Sequence, residues 1–226
     1  MKNLAIPQIE KMPVEAQAAC ALREAIINGV LHQGERIKEV ELSRQMNLSR
    51  ATLRSALMQV AKEGLVIQIP YTGWHVISMH SHDVWELFTL RSSVERLAAR
   101  ILAENIDEGG SLILQKAYDR LHSECLRGNA KKIAAADFAL HKTIFNLTEH
   151  SRLINQYSII EQQVLTCIHS SDALIFDAKE IIEQHRPIVE AIIGHDIELA
   201  GQLSEQHNLS EGTKLAAYMR EHEQTA

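Results

Sequence analysis

The sequence predicts a mainly α-helical protein in two parts: a small N-terminal domain of three helices and a β-hairpin, then a bundle of about six antiparallel helices. Apolar residues recur at spacings of three and four over most of the 226 residues, which is the helical period. Runs rich in β-branched and aromatic residues follow the third predicted helix, and these strand signals stop at Ser78.

The distribution of charge supports the same division. Residues 1–78 carry nine Lys and Arg against seven Asp and Glu, a formal charge of +2, whereas residues 79–226 carry 14 against 22, or −8. A mildly basic part joined to a strongly acidic one is typical of an anion-binding module attached to a second domain. We therefore predict domains at 1–78 and 79–226.

The first two helices are short. Pro13 and Gly29 frame the first, predicted from Val14 to Asn28, because proline suits a helix start and glycine a helix end. The second covers about Val40 to Met46. Asn47 and the next residue then make a tight turn.

The third helix begins after Ser49, a good N-cap, and ends at Gly64. Its apolar stripe has the spacing i, i+3, i+4, i+7 and comprises Leu53, Ala56, Leu57 and Val60. The runs "LVIQI" and "WHVI", separated by "PYTG", predict a two-stranded hairpin. Two helices, a turn, a third helix and a hairpin form the winged helix-turn-helix arrangement, whose third helix enters the DNA major groove.

Beyond Ser78 the pattern is helical. The first bundle helix, opened by Ser81 or Asp83, has the apolar stripe Leu87, Leu90, Val94, Leu97 and Ile101. Short polar breaks separate further helices, predicted at about 108–127, 130–149, 151–169, 178–193 and 196–221. Six such helices favour an antiparallel bundle.

Several classes of protein are disfavoured by composition. No run approaches the ~18–20 apolar residues of a membrane span, and the first residues lack the apolar stretch of a signal peptide, so we expect a cytoplasmic protein. Cys20, Cys125 and Cys167 lie far apart without CxxC spacing, which predicts buried apolar side chains rather than a redox motif or zinc knuckle.

The third helix carries the candidate nucleic-acid interface. Its non-apolar face presents Arg50 and Arg54 one turn apart, with Ser49 and Thr52 near the helix N-terminus, and no carboxylate occurs from Leu42 to Lys62. Helix N-terminal amides favour phosphate, and arginine pairs with phosphate or with guanine. The alternative is that these arginines are ordinary solvated surface charges; the hairpin that follows favours DNA binding.

The acidic domain carries a candidate metal site. Asp137 and His141 share one helical face by their spacing of four, and His185 is flanked by isoleucines and a valine at helical spacing. His207, on the last helix, adds a third imidazole. Each histidine taken singly is explained as a buried ring that hydrogen-bonds a carbonyl. Together, one carboxylate and three imidazoles suit Zn, Ni, Mn or Fe with room for a ligand oxygen.

One cation is a candidate for contacting an anionic ligand. Arg91 borders the stripe of the first bundle helix and lies one turn from Leu87, so it could project into the same cavity. The alternative is an exposed i, i+4 ion pair with Glu95. Among the other histidines, His122, His150, His169 and His195 are interpreted as structural, and His80 and His82 as linker.

The residues at about 14–78 resemble a known family. "LREAIINGVLHQGERI", the "SRxxxR" recognition helix, "EGLV" and Gly73 occur in the order and at the separations found in the DNA-binding domain of GntR-family bacterial transcription regulators. The helical remainder resembles the FCD-type ligand domain of the FadR subfamily. The resemblance implies that Arg50 and Arg54 read bases or adjacent phosphates, that Arg44, Ser49 and Thr52 position the backbone, and that Gly73 serves as a turn residue of the wing.

The resemblance also has implications for the bundle. The metal-binding kind of this ligand domain has an Asp-x-x-x-His pair and two later histidines, and Asp137, His141, His185 and His207 match that pattern. The resemblance implies a regulator, expected to be a repressor, that binds a two-fold symmetric operator as a homodimer and responds to a small organic acid. Sugar acids, hydroxy acids and fatty-acid-like compounds remain open.

The chain departs from the family at four positions. Thr52 and Ser55 stand where the family commonly has Pro and Glu, and Ile69 and Thr72 stand where the wing often has basic residues. Fewer cations in the wing predict a weak minor-groove contact. Two other functions explain less of the sequence: a metal-dependent hydrolase leaves the winged helix unexplained, and a structural DNA-binding protein without effector leaves the polar cluster unexplained.

Overall fold

The computed structural model describes residues 12–170 and 177–223. The chain divides into two compact units, one ending at Ile77 and the other beginning at Ser78. The predicted fold class is confirmed, because the protein is mainly α-helical. The prediction that strands occur only before Ser78 is also confirmed for the described ranges, where all strands lie in the first unit. No helix in these ranges combines the length and apolarity needed to span a bilayer.

The first unit is a winged helix. Its elements in chain order are α1 (Val14–Ile27), β1 (Arg36–Ile37), α2 (Glu39–Gln45), α3 (Arg50–Lys62), β2 (Val66–Ile69) and β3 (Gly73–Val76). The strands form an antiparallel sheet in the order β1-β3-β2, so the wing has three strands instead of the predicted two. The sequence did not reveal β1 because two residues are too short to show an alternating pattern.

The third helix forms as its sequence predicts. The Ser49 hydroxyl accepts a hydrogen bond from the Thr52 backbone N–H at 3.0 Å, which caps the helix. The four stripe residues Leu53, Ala56, Leu57 and Val60 are completely buried. An ion pair between Arg23 of α1 and Glu63 at the end of α3, 2.6 Å between nitrogen and oxygen, ties the two packed helices together.

The second unit contains six helices in its described residues. They are α4 (Ser81–Asn105), α5 (Glu108–Arg127), α6 (Ala130–Leu147), α7 (Ser151–Ser170), α8 (Ala178–Ile193) and α9 (Ile197–Glu223). The break predicted at "SSD" after α7 extends into residues 171–176, outside the described residues.

Helix α4 begins at Ser81, one of the two predicted opening residues, although the residue before it serves as the cap. His80 is its N-cap, and the Asp83 carboxylate accepts from the His80 backbone N–H at 2.7 Å, completing a capping box. His82 lies in the first turn and stacks on Trp85. The interpretation of both histidines as linker was therefore wrong, because histidine is an uncommon cap and gives little sequence signal.

The buried face of α4 also differs from the predicted stripe. Leu90 and Leu97 are 55% and 46% exposed, whereas Arg91 and Glu95 are buried. Apolar side chains usually mark the core, but two opposite charges that pair with each other can replace them there. The α4 face that meets the rest of the bundle is thus partly ionic.

Close packing of α4 on α9 depends on glycine. A Cβ on Gly212 would lie 2.4 Å from the Cβ of Phe88, well inside contact distance. The two helices run antiparallel, since Gly201 meets Arg100 and Gly212 meets Phe88. The backbone of α9 therefore approaches α4 more closely than an alanine would allow.

We expect Gly212→Ala to lower the free energy of unfolding by about 1–3 kcal/mol, because the added methyl group must displace Phe88 and part of either helix. Urea unfolding followed by circular dichroism measures the change. Gly109→Ala is the matched control, since its Cβ would meet Asp107 Oδ1 at 3.4 Å and alanine favours a helix by up to ~1 kcal/mol. Equal stability of Gly212→Ala and wild type would contradict the close approach.

Candidate metal centre and ligand cavity

Three helices of the second unit bring the four predicted ligands together. Asp137 and His141 lie on α6, His185 on α8 and His207 on α9. One ring nitrogen from each of the three buried histidines lies within 4.8 Å of the others. Asp137 Oδ1 is 2.9 Å from His185 Nε2, and Asp137 Oδ2 is 4.0 Å from His141 Nε2. The structure thus places all four predicted side chains in one cluster.

The second nitrogen of each ring faces an oxygen of the protein. His141 Nδ1 lies 2.7 Å from Glu95 Oε2, and His185 Nδ1 lies 2.8 Å from the carbonyl of Ile181. His207 Nδ1 lies 3.1 Å from Gln184 Oε1. These oxygens accept hydrogen bonds, so each Nδ1 carries the proton, and in a neutral ring each Nε2 keeps a lone pair. This outer arrangement is typical of metal-binding histidines.

Two of these nitrogens face each other closely. His141 Nε2 and His185 Nε2 are 3.1 Å apart. Two lone pairs at this distance repel unless a cation or a shared proton lies between them. Two nitrogens bound to one tetrahedral metal at about 2.0–2.1 Å lie about 3.3 Å apart, close to the observed separation. The four residues therefore fit a divalent metal ion.

The electrostatics of the cluster agree with this fit. Burial alone would raise the pKa of Asp137, but the neighbouring histidines, His185 first, hold it well below its usual range, so the carboxylate is ionised. Burial and the two adjacent imidazoles lower the pKa of His207 far below its usual value, so its ring is neutral. Burial opposes protonation of His185, yet Asp137 raises its pKa above the usual value. The alternative to a metal ion between these nitrogens is therefore a proton on His185.

Glu95 belongs to the candidate site, although the sequence did not reveal it. Its carboxylate accepts from His141 Nδ1 and from Arg91 Nε, the latter at 2.6 Å, and Asn208 also donates to it. Burial would raise the pKa of Glu95, but Arg91 and His141 hold it far below the usual carboxyl value. Only its spacing of four from Arg91 was visible, and nothing in the sequence showed that it meets His141.

Arg91 is buried, which corrects the alternative of an exposed ion pair. The predicted pair with Glu95 does form, but Arg91 is only 4% exposed. Burial would lower its pKa, and the adjacent Glu95 carboxylate raises it above the ordinary arginine value. Within residues 12–170 and 177–223, its Nη2 has no hydrogen-bond partner, and the side chain lines the cavity described next.

A cavity of about 230 Å³ adjoins the cluster. Asp137, His185 and His207 line one part of it, next to Arg91. Its apolar walls comprise Phe88, Ile133, Ala134, Phe138, Ile168, Ile181 and Leu215. The volume is below the ~300–1,000 Å³ of sites for drug-sized ligands, so the cavity suits a small molecule.

The predicted DNA-contacting residues lie in the first unit. Arg44, Ser49, Arg50 and Arg54 are exposed and Thr52 is half-buried. Arg54 Nε forms an ion pair with Glu39 Oε2 at 2.5 Å, an interaction that the carboxylate-free stretch did not predict because Glu39 lies just before it.

Gly73 begins β3 with φ +99°, a backbone conformation that favours glycine. Its predicted role as a turn residue of the wing is consistent with this geometry. In the second unit, His195 donates from Nδ1 to the carbonyl of Ala103 at 2.8 Å, a structural role like the one expected for it.

Comparison with known proteins defines the class. The description "Bacterial regulatory proteins, gntR family" matches residues 14–76, and the FCD domain matches residues 86–210. The chain is 26% identical over 202 residues to the "Probable D-xylose utilization operon transcriptional repressor" of Paenarthrobacter nicotinovorans, covering 88% of each protein. It is 25% identical over 208 residues to the gluconate operon transcriptional repressor of Bacillus licheniformis, covering 88% of the chain and 84% of that protein.

Solved structures show the same fold. E. coli McbR/YncC superposes with a TM-score of 0.75 at 18% identity, covering 91% of this chain and 98% of that one. A GntR regulator of Rhodococcus sp. RHA1 superposes with a TM-score of 0.73 at 21% identity, covering 89% and 96%. A winged helix followed by this helical domain defines a class of transcription regulators, which are not enzymes. The chain belongs to the GntR family and carries an FCD domain.

Proposed function

We propose that this regulator is a repressor whose affinity for DNA changes when a small organic acid binds beside a divalent metal ion. The observation that carries the proposal is the pair of Nε2 atoms of His141 and His185, 3.1 Å apart and each with its Nδ1 already facing an oxygen. Repression is supported by relatives named as transcriptional repressors.

Asp137, His141, His185 and His207 would hold the metal. Three imidazoles and one carboxylate suit Zn, Ni, Mn or Fe, and the bound ion supplies a positive centre that takes a ligand oxygen. The protein residues do the rest: Glu95, the Ile181 carbonyl and Gln184 fix the orientation of the three rings. The apolar walls of the cavity exclude water around the ligand.

Arg91 would bind the carboxylate of the organic acid. Its Nε is occupied by Glu95, whereas its Nη2 has no partner in the described part of the chain, and the side chain is part of the cavity lining. An unpaired buried guanidinium donor is costly, and an anionic ligand would satisfy it. Because Arg91 also holds Glu95, which holds His141, ligand binding and metal binding would act on one connected network.

The first unit would bind the operator through α3. Arg50 and Arg54 are exposed on its surface, and the N-cap Ser49 places free backbone amides at its start. Arg54 would exchange its Glu39 partner for a base or phosphate. Arg44 and Thr52 would position the backbone, and Gly73 would shape the wing. One chain supplies one recognition helix, so we propose a homodimer on a two-fold symmetric operator.

The test is binding of a duplex selected from random DNA by the wild-type protein, followed by electrophoretic mobility shift. We expect Arg50→Ala and Arg54→Ala to weaken binding roughly tenfold or more, since a bidentate base contact discriminates by about 1–3 kcal/mol. An organic acid from a screen should change the affinity of the metal-loaded protein, and a chelator should abolish that response.

Lys131→Ala is the control, because this exposed lysine lies on α6, in the other unit. Wild-type affinity in both arginine variants would refute the assignment of α3. A ligand response that survives complete chelation would refute the role of the metal.

A further inference from the structure

The cavity extends along α8 and α9 to a second polar group. The two helices are antiparallel, because Gln184 contacts His207 at one level and Glu180 contacts Lys214 at another. Glu180 precedes His185 by five residues and Lys214 follows His207 by seven, so the second level lies about 7–11 Å along the helices from the histidines. Both levels line the same cavity.

The second level has a negative net charge. Lys214 Nζ is bound by Glu180 and, at 3.1 Å, by Glu211, so one ammonium is shared between two carboxylates. Asp177, the N-cap of α8, also lines the cavity. This far end, comprising Asp177, Glu180, Glu211 and Lys214, therefore has a formal charge of −2 and oxygen atoms available to accept hydrogen bonds.

The near end contains Arg91, Asp137 and the histidine cluster. Arg91 is 96% buried, being 4% exposed, and its Nη2 has no partner among the described residues. It lines the cavity beside Asp137 and the histidine cluster, and with a divalent ion held by that cluster the near end would be positive and would suit an anion. Between the ends, Phe88, Phe138 and Leu215 form an apolar wall that favours hydrocarbon.

We infer that the cavity takes a monocarboxylate with a short hydrocarbon middle and a hydrogen-bond donor, best an ammonium group, at its other end. This inference rests on the proposed function and specifies its ligand class. The carboxylate would meet Arg91 and the metal, and the donor would meet Glu180 and Glu211. At a water's share of ~30 Å³, the cavity volume of about 230 Å³ suits roughly eight non-hydrogen atoms.

A dicarboxylate of the same length fits the far end poorly. Its second carboxylate would compete with Glu180 and Glu211 for the single ammonium of Lys214 and would face like charges at close range. A simple alkanoate would leave the oxygen atoms of the far end without a new donor, but it would add no repulsion. The predicted order of affinity is ammonium, then methyl, then carboxylate at the far end.

Isothermal titration of the full-length, metal-loaded protein with three probes of equal chain length tests this order. We expect 6-aminohexanoate to bind at least ten times more tightly than adipate, with hexanoate between them. The Glu211→Gln variant removes one carboxylate of the far end, so it should reduce the ratio of the affinity for 6-aminohexanoate to the affinity for adipate. The control Glu221→Gln changes an exposed residue of the same helix outside the cavity and should leave the ratio unchanged.

Adipate that binds as tightly as 6-aminohexanoate overturns the ligand class, and so does the absence of binding by all three probes. If adipate binds best and chelation removes its binding, the proposed metal-dependent response survives and only the ligand class fails. If the probes bind equally with and without metal, the proposed function fails as well. If Glu211→Gln leaves the ratio of the two affinities unchanged, the far end does not cause the preference for 6-aminohexanoate, and the proposal is overturned.

Discussion

We expect the wild-type protein to carry about one divalent ion per chain and purified His185→Ala to carry none. His185 Nε2 lies between Asp137 Oδ1 at 2.9 Å and His141 Nε2 at 3.1 Å, so it is the side chain that contacts both. Removing it leaves two nitrogens and one carboxylate and opens a gap in the cluster. Elemental analysis by inductively coupled plasma mass spectrometry gives the stoichiometry.

Thermal unfolding gives a second measurement of the same substitution. A ligand at 100 times its dissociation constant stabilises a protein by about 2.7 kcal/mol, so added metal should raise the melting temperature of wild type but not of His185→Ala. His195→Ala is the matched control, because His195 also donates to a backbone carbonyl but lies outside the cluster. Equal metal content in wild type and His185→Ala would show that the cluster binds no metal and favour a proton on His185.

Glu95→Ala is expected to lower the free energy of unfolding of the metal-free protein by about 3–5 kcal/mol, because it leaves the buried charge of Arg91 without its partner. His141 loses the acceptor of its Nδ1–H at the same time. Urea unfolding in the presence of a chelator separates this effect from metal binding. Glu95→Gln keeps the shape and one acceptor oxygen, so it should unfold more easily than wild type but less easily than Glu95→Ala.

The control for Glu95 is Glu86→Ala on the same helix, whose i, i+4 contact with His82 is exposed. Its effect should stay within about 0.5 kcal/mol, as for other surface substitutions. If Glu95→Ala also lowered the free energy of unfolding by no more than about 0.5 kcal/mol, Glu95 would not be stabilising the buried charge of Arg91 as predicted.

We expect the ionised Glu95 carboxylate to make the stability of the protein depend on pH in the acid range. The pKa of Glu95 is lower in the folded protein than the ~4.3 of an unfolded chain. The ionised carboxylate therefore contributes fully to the free energy of unfolding above about pH 4.3, and this contribution is lost as pH falls from there towards the folded pKa. The stability of wild type should therefore fall more steeply below that pH than the stability of Glu95→Gln.

Much of this fold could be predicted from local patterns. The stripe of α3, its Ser49 cap and the breaks between the bundle helices are properties of neighbouring residues, so periodicity and capping rules reveal them. The Asp137 and His141 pair was equally accessible, because a spacing of four fixes a shared helical face. For α3 and α6 the sequence showed which residues face inward, but it did not show which helices meet.

The remaining features depend on partners that are distant in sequence. Glu95 and His141 are 46 residues apart, and Arg54 and Glu39 are 15 apart. The apolar stripe through Leu90 and Leu97 was misassigned because the bundle buries the Arg91 and Glu95 pair instead. No local pattern encodes such a choice, since it is settled by which charges find each other in the assembled bundle.

The antiparallel contact between α4 and α9 has a consequence for how the chain folds. These are the first and last helices of the second unit in the described residues, and Gly201 and Gly212 meet Arg100 and Phe88, which lie 101 and 124 positions earlier in the sequence. Contacts of such long range close slowly, because the intervening chain must be ordered first. During synthesis the winged helix can fold early as an N-terminal unit, whereas the side of α4 that packs on α9 stays uncovered until α9 has left the ribosome.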